Sequence, residues 1–170
     1  MLKNIPLLDQ HNNIVGETTI PEAYSKGYWR RGVRVFLFNE RGEMLLQQRS
    51  STLESHAGFW TESAGGHVDI DESDIEAACR EAQEELGTAV NLTAVEYGLR
   101  STIQDDKSFC TVYTGYLPSD TKIILNTNEV AQVRWISVAD LDIAIKNDLY
   151  DFVPSFVEVW QLCCDKILAA

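Results

Sequence analysis

Residues 65–88 read GGHVDIDESDIEAACREAQEELGT, and Glu81, Glu84 and Glu85 in them have the spacing that gathers side chains on one face of a helix. Carboxylates placed this way repel one another unless something positive sits among them, and the chain already carries a formal net charge of −12. The stretch opens on the pair Gly65-Gly66 and runs extended to Ile70. Asp71 or Ser73 then caps a helix, and Gly87 stops it. Ile75, Ala78, Cys79, Ala82 and Leu86 recur at helical spacing as an apolar stripe, with Glu76, Glu84 and Glu85 outside it. The expected unit is a short strand followed by a helix that packs on a sheet.

Working outward, Ile5 to Leu8 and Ile14 to Ile20 flank the polar cluster 9–13 and read as an N-terminal β-hairpin. Val33 to Phe38 and Met44 to Gln48 are strand-like runs joined by Asn39-Glu40-Arg41-Gly42, and the first is apolar enough to be central. A loop over 50–58 leads to Phe59-Trp60-Thr61. Leu92 to Ile103, Phe109 to Leu117 and Val130 to Val138 complete the strands, with turn chemistry at Asp105-Asp106-Lys107 and Pro118-Ser119-Asp120. Helices over about 138–147 and 154–168 close the chain. Strands with helices at two separated places predict an α/β (α+β) fold, a mixed sheet sandwiched between helices.

With 170 residues, 45% of them hydrophobic, the chain is long enough to enclose a core and reads as one domain over 1–170. The acidic balance and the lack of a basic run argue against a nucleic-acid polymer as partner. An anionic small molecule would need divalent cations or a few well-placed Arg residues. Cys79, Cys110, Cys163 and Cys164 form no Cys-x-x-Cys pair and read as reduced thiols. The start of the chain turns polar within a few residues and no run reaches membrane-spanning length, which points to the cytoplasm. The oligomeric state stays open, with a homodimer paired through the N-terminal hairpin as one alternative.

Gly66, Glu72, Arg80-Glu81, Glu84-Glu85 and Gly87 stand at the spacing of the Nudix box, so the chain resembles the Nudix hydrolase family. Each of these seven positions has a chance of roughly 5–7% from ordinary composition, which puts an accidental match at about 10⁻⁸ per register. Ala82 is a small occupant of an aliphatic slot, and Thr88 replaces the usual apolar residue at the last. The box accounts for the charge crowding: carboxylates that repel alone become favourable around a hard divalent cation with a preference for oxygen. The resemblance implies Mg2+ or Mn2+ as cofactor and hydrolysis of a diphosphate linkage in a small organic diphosphate. It implies metal ligation by Glu84 and Glu85, a ligand or base role for Glu81, and a contribution from the Gly65 carbonyl. Glu72 and Arg80 are expected to brace loop against helix. Glu129 resembles the late Glu that assists as base or ligand, and the identity of the base stays open. Arg49, at a strand end, and His67, after the glycine pair, are candidates for substrate binding.

The likeness extends over about residues 5–140 to the branch of the family that includes isopentenyl-diphosphate isomerase. Three isomerase features are absent: Gly65 stands where the catalytic thiol would be, Ser108 where the second catalytic carboxylate would be, and Arg30 where a metal-site His would be. The expectation is a hydrolase on an isomerase-like frame. The alternatives are the isomerase itself and a Nudix domain that binds a diphosphate without cleaving it.

Overall fold

The computed structural model describes residues 4–104 and 106–170. Residues 1–3, where the N-terminal stretch begins, and Asp105, part of an expected turn, lie outside the described residues. In chain order the elements are β1 (Asn4–Leu8), β2 (Ile14–Thr19), α1 (Ile20–Lys26), β3 (Arg30–Phe38), β4 (Glu43–Arg49), β5 (Trp60–Thr61) and β6 (Ala64–His67). There follow α2 (Asp74–Leu86), β7 (Leu92–Arg100), β8 (Ser108–Tyr116), β9 (Val130–Ser137), α3 (Val138–Lys146) and α4 (Pro154–Ala169).

β3 organises the sheet. It runs parallel to β8 along its whole length, from Arg30 opposite Ser108 to Phe38 opposite Tyr116. Its other edge is shared: β6 pairs antiparallel with residues 32–35, and β4 meets it at Phe38 opposite Met44. β4 then turns away to pair with β9 and β5, while β7 closes the far edge against β8. The sheet therefore splits between β3 and β4. Ser63 spans the split, its hydroxyl accepting from Leu37 N at 2.8 Å and donating to Leu45 O at 2.7 Å.

Alternation along β3 sends Val33, Val35 and Leu37 to one face and Arg34 and Phe36 to the other. On the first face they meet Ala77, Ala78, Ala82 and Leu86 of α2. On the second, Phe36 and Val112 meet Leu141 and Ala144 of α3 and Phe156, Val159 and Trp160 of α4. Phe36 stacks on Phe156 with centroids 6.1 Å apart, and burying a ring of this kind stabilises the fold by roughly 1.5–3 kcal/mol. The layers are those of the expected mixed α/β/α sandwich, with the β1–β2 hairpin beside it. Among the described residues no helix is long and apolar enough to cross a membrane.

Three local expectations change. Ile20 begins α1 instead of ending a strand, because Thr19 accepts from Glu22 N, Pro21 lies in the first turn, and Gly27 ends the helix at φ 61°. β7 stops at Arg100, and the next residues turn to α4, where Glu158 accepts from Ser101 Oγ at 2.9 Å and Thr102 N at 2.6 Å. In α2, capped by Ser73 in a capping box, Ile75 is exposed. The buried arc is Ala77, Ala78, Glu81, Ala82, Glu85 and Leu86, so two of its six residues are polar.

Gly87 ends α2 at φ 66°, and a Cβ there would stand 2.7 Å from the Ile124 carbonyl. Gly87→Ala is therefore expected to destabilise the protein by more than about 1 kcal/mol, measured as a lower urea midpoint; an unchanged midpoint would show that this junction yields.

Candidate active site

The site forms where α2 crosses β6. A Cβ at Gly66 would overlap the Glu81 carboxylate, so this strand position has to be glycine for Glu81 to lie flat against the backbone. One turn on, Glu85 Oε2 accepts from Gly65 N at 3.1 Å and from Gln47 Nε2 at 3.0 Å. Gln47 is itself buried in β4, and its second donor goes to Ser63 O at 3.1 Å. Thus β4 and β6, on the two sides of the split, hold Glu85. Glu129, just before β9, completes the cluster: one oxygen from each of Glu81, Glu85 and Glu129 lies within 4.8 Å of the others.

Burial makes this arrangement electrostatically costly. It pushes Glu85 up to about 8, although the donors from Gln47 and Gly65 favour the charged form, and the charges of Glu81 and Glu129 raise it further. Burial also raises Glu81, against the pull of Arg80 and with added repulsion from Glu84 and Glu129. An all-carboxylate set of this kind, short of positive charge on its inner side, fits a hard divalent cation.

Arg80 supplies positive charge at the outer edge. Its fork grips Glu72 at 2.8 and 2.9 Å, one arm also donates to His67 O at 2.9 Å, and the other reaches Glu81 at 2.8 Å and Glu84 at 3.4 Å. Glu72 in turn accepts from Asp69 N, so the loop 67–72 is tied to α2 through one guanidinium. Glu84 stays at the solvent rim, its side chain 44% exposed. The expected triad of Glu81, Glu84 and Glu85 is thus rearranged, with Glu129 in the inner cluster and Glu84 beside Arg80.

Arg49 and His67, expected to meet substrate, both have partners within the chain. Arg49 directs its guanidinium at the Ser55 carbonyl, at 3.1 and 3.2 Å, and so braces the loop 50–58. His67 points away from the carboxylates: side chains alternate along β6, Gly66 faces Glu81, and Gly65 and His67 face the other side of the sheet. There the His67 ring packs edge-on against Tyr24, and desolvation, with the nearby charges of Arg30 and Arg34, holds it down to about 4. That opposite face carries its own ion pairs, Arg30 with Asp106 at 2.6 Å and Arg34 with Glu62 at 2.5 Å, and Arg34 also donates to Ser155 Oγ. Sequence reading missed Gln47, since a buried Gln in a strand carries no local signal of what it touches.

Residues 28–156 match the NUDIX domain. The chain belongs to the Nudix family. This Nudix protein is 30% identical over 158 residues to isopentenyl-diphosphate Delta-isomerase 2 of Photorhabdus laumondii, across 91% of this chain and 85% of the relative. It is 30% identical over 154 residues to the uncharacterized Nudix hydrolase lin0387 of Listeria innocua, across 88% of each. The crystal structure of DR0079 from Deinococcus radiodurans superposes with a TM-score of 0.80 at 25% identity, covering 95% of this chain and 99% of that one. Family, fold and relatives together make this Nudix protein a Nudix hydrolase.

Because the folded-state value of Glu85 lies above its ordinary 4.5, the cation-free protein keeps its full stability below that pH and loses some as pH rises toward 8. Glu85→Gln keeps an acceptor for Gln47 and Gly65 and removes the charge. With chelator present, calorimetry should show a higher Tm for Glu85→Gln than for wild type at pH 8 and little difference at pH 4; the reverse order would contradict the burial cost.

Proposed function

We propose that this Nudix hydrolase cleaves the diphosphate linkage of a small organic diphosphate, nucleoside or other, by attack of water at phosphorus, with Mg2+ or Mn2+ as cofactor. The observation that carries the reading is the convergence of Glu81, Glu85 and Glu129 within 4.8 Å. A divalent ion held by these carboxylates would polarise a diphosphate and lower the pKa of water. In this reading Glu81 and Glu85 are ligands fixed on a rigid helix, and Glu84 at the rim and the Gly65 carbonyl complete the set. The proton of the attacking water goes to one carboxylate, Glu129, Glu81 or Glu84. Glu72 and Arg80 hold the loop to the helix so that these oxygens keep their spacing. Arg49, one residue before the Ser50 amide that binds the Glu129 carbonyl, is the guanidinium proposed to meet substrate phosphate. The free cysteines suit the reducing cytoplasm, and pairing of the hairpin edges as a homodimer belongs to the same proposal.

The isomerase reading is favoured by the name of the Photorhabdus relative and opposed by side-chain chemistry. Gly65 has no group that exchanges a proton, and a Cβ there would stand 2.8 Å from Val33 O and 3.0 Å from Glu62 Oε1. The Arg30 position is occupied by an ion-paired guanidinium stacked 3.9 Å over Tyr24. A guanidinium, protonated at every working pH, cannot ligate a cation.

The test is a panel of nucleoside diphosphate derivatives and isoprenoid diphosphates with Mg2+ or Mn2+. Phosphate release after a coupled phosphatase is the expected result, and conversion of isopentenyl diphosphate to its allylic isomer would support the rival. Glu81→Gln should lower kcat by about 10²-fold or more with the fold intact by circular dichroism; a fully active variant would count against these roles.

A further inference from the structure

We infer that Asn126 is a positioning residue, one that sets the Glu129 carboxylate against the carboxylates of α2; the inference rests on the metal-dependent reading above. Glu129 sits on a connection, where a carboxylate on a long side chain would ordinarily sample many rotamers. Among the described residues the one hydrogen bond to its carboxylate comes from Asn126 Nδ2, at 3.0 Å.

Asn126 is in turn tied to the helix that carries the other two carboxylates. Its backbone N donates to Glu85 O at 3.2 Å, and two residues earlier Ile124 N donates to Leu86 O at 2.9 Å, so the segment caps the open carbonyls at the end of α2. Its own carbonyl accepts from Glu129 N at 2.9 Å and Val130 N at 2.8 Å, and its Oδ1 accepts from Asn128 N at 3.3 Å. These partners admit one orientation of the amide: an N–H lies on one side and a carboxylate on the other, so the oxygen must face the first and the NH2 the second. Asp at 126 would keep the acceptor and lose the donor, turning attraction at Glu129 into repulsion. Two further links, Ser50 N to Glu129 O at 2.8 Å and Thr52 Oγ1 to Asn128 O at 3.0 Å, hold the backbone from the other side and leave the carboxylate's direction to Asn126.

The experiment is a double-mutant cycle with Asn126→Asp and Glu129→Gln, read as Mn2+ affinity by calorimetry and as kcat on whichever diphosphate the panel yields. Asn126→Asp is expected to weaken Mn2+ binding by about 10- to 100-fold, the range seen when a partner of a ligand is lost. In the Glu129→Gln background, where the repelled charge is gone, the same change should cost less than about 3-fold. Asn126→Ala, which removes the donor without adding charge, should fall between wild type and Asn126→Asp. Equal costs in both backgrounds, in a protein that binds Mn2+, would reduce Asn126 to a loop residue and leave the hydrolase reading standing. Absence of Mn2+ binding by the wild type would overturn both.

Discussion

Glu81 and Glu85 reach the edge of the sheet because β6 has no side chains where they land. Without a Cβ at Gly66 the Glu81 carboxylate can press against the strand, and next to it the Gly65 amide is free to donate to Glu85. This contact decides how near α2 lies to β6, and the rest of the site follows from it. Gln47 meets Glu85 across the split between β3 and β4, and Arg80 meets the loop that leaves β6. A larger residue at Gly66 would move the helix away, and the carboxylates would return to water as an ordinary solvated acidic face.

The electrostatics of the site divide between two sides of one helix. On the outer side Arg80 joins Glu72, Glu81 and Glu84 in one network. On the inner side Glu85 and Glu129 have neutral donors from Gln47, Gly65 and Asn126 and, among the described residues, no ion-pair partner. Hydrogen bonds orient these oxygens, yet neutral donors do not cancel their charge, and burial raises the cost of leaving it uncancelled. A net charge of −12 on the whole protein adds to that cost.

The two faces of the sheet hold different chemistry. Alternation along β3 and β6 puts the Nudix-box carboxylates on the α2 side and Arg30, Arg34 and His67 on the side of Tyr24 and α4. Those arginines pair with Asp106 and Glu62, so this side of the sheet holds a structural ion-pair layer.

Much was legible before any coordinate. The glycine pair, the helix with its glycine stop, the central strand at 33–38 and the closing helices all rest on local period and turn chemistry. Local rules failed where distant partners decide: Ile75 is exposed although it fits an apolar period, because the arc of α2 that meets the sheet is set by Glu81 and Glu85. The α1 helix was missed because a seven-residue helix after a strand shows only its caps. By itself the sequence determined the family and the acidic character of the helix that lines the site, since these depend on residue type and spacing along one helix. Only the tertiary structure decided that Glu129 and not Glu84 joins the inner cluster, that His67 faces the opposite side, and that Gln47 and Asn126 aim the carboxylates. Those contacts join residues far apart in the chain, and packing of the helix on a split sheet brings them together.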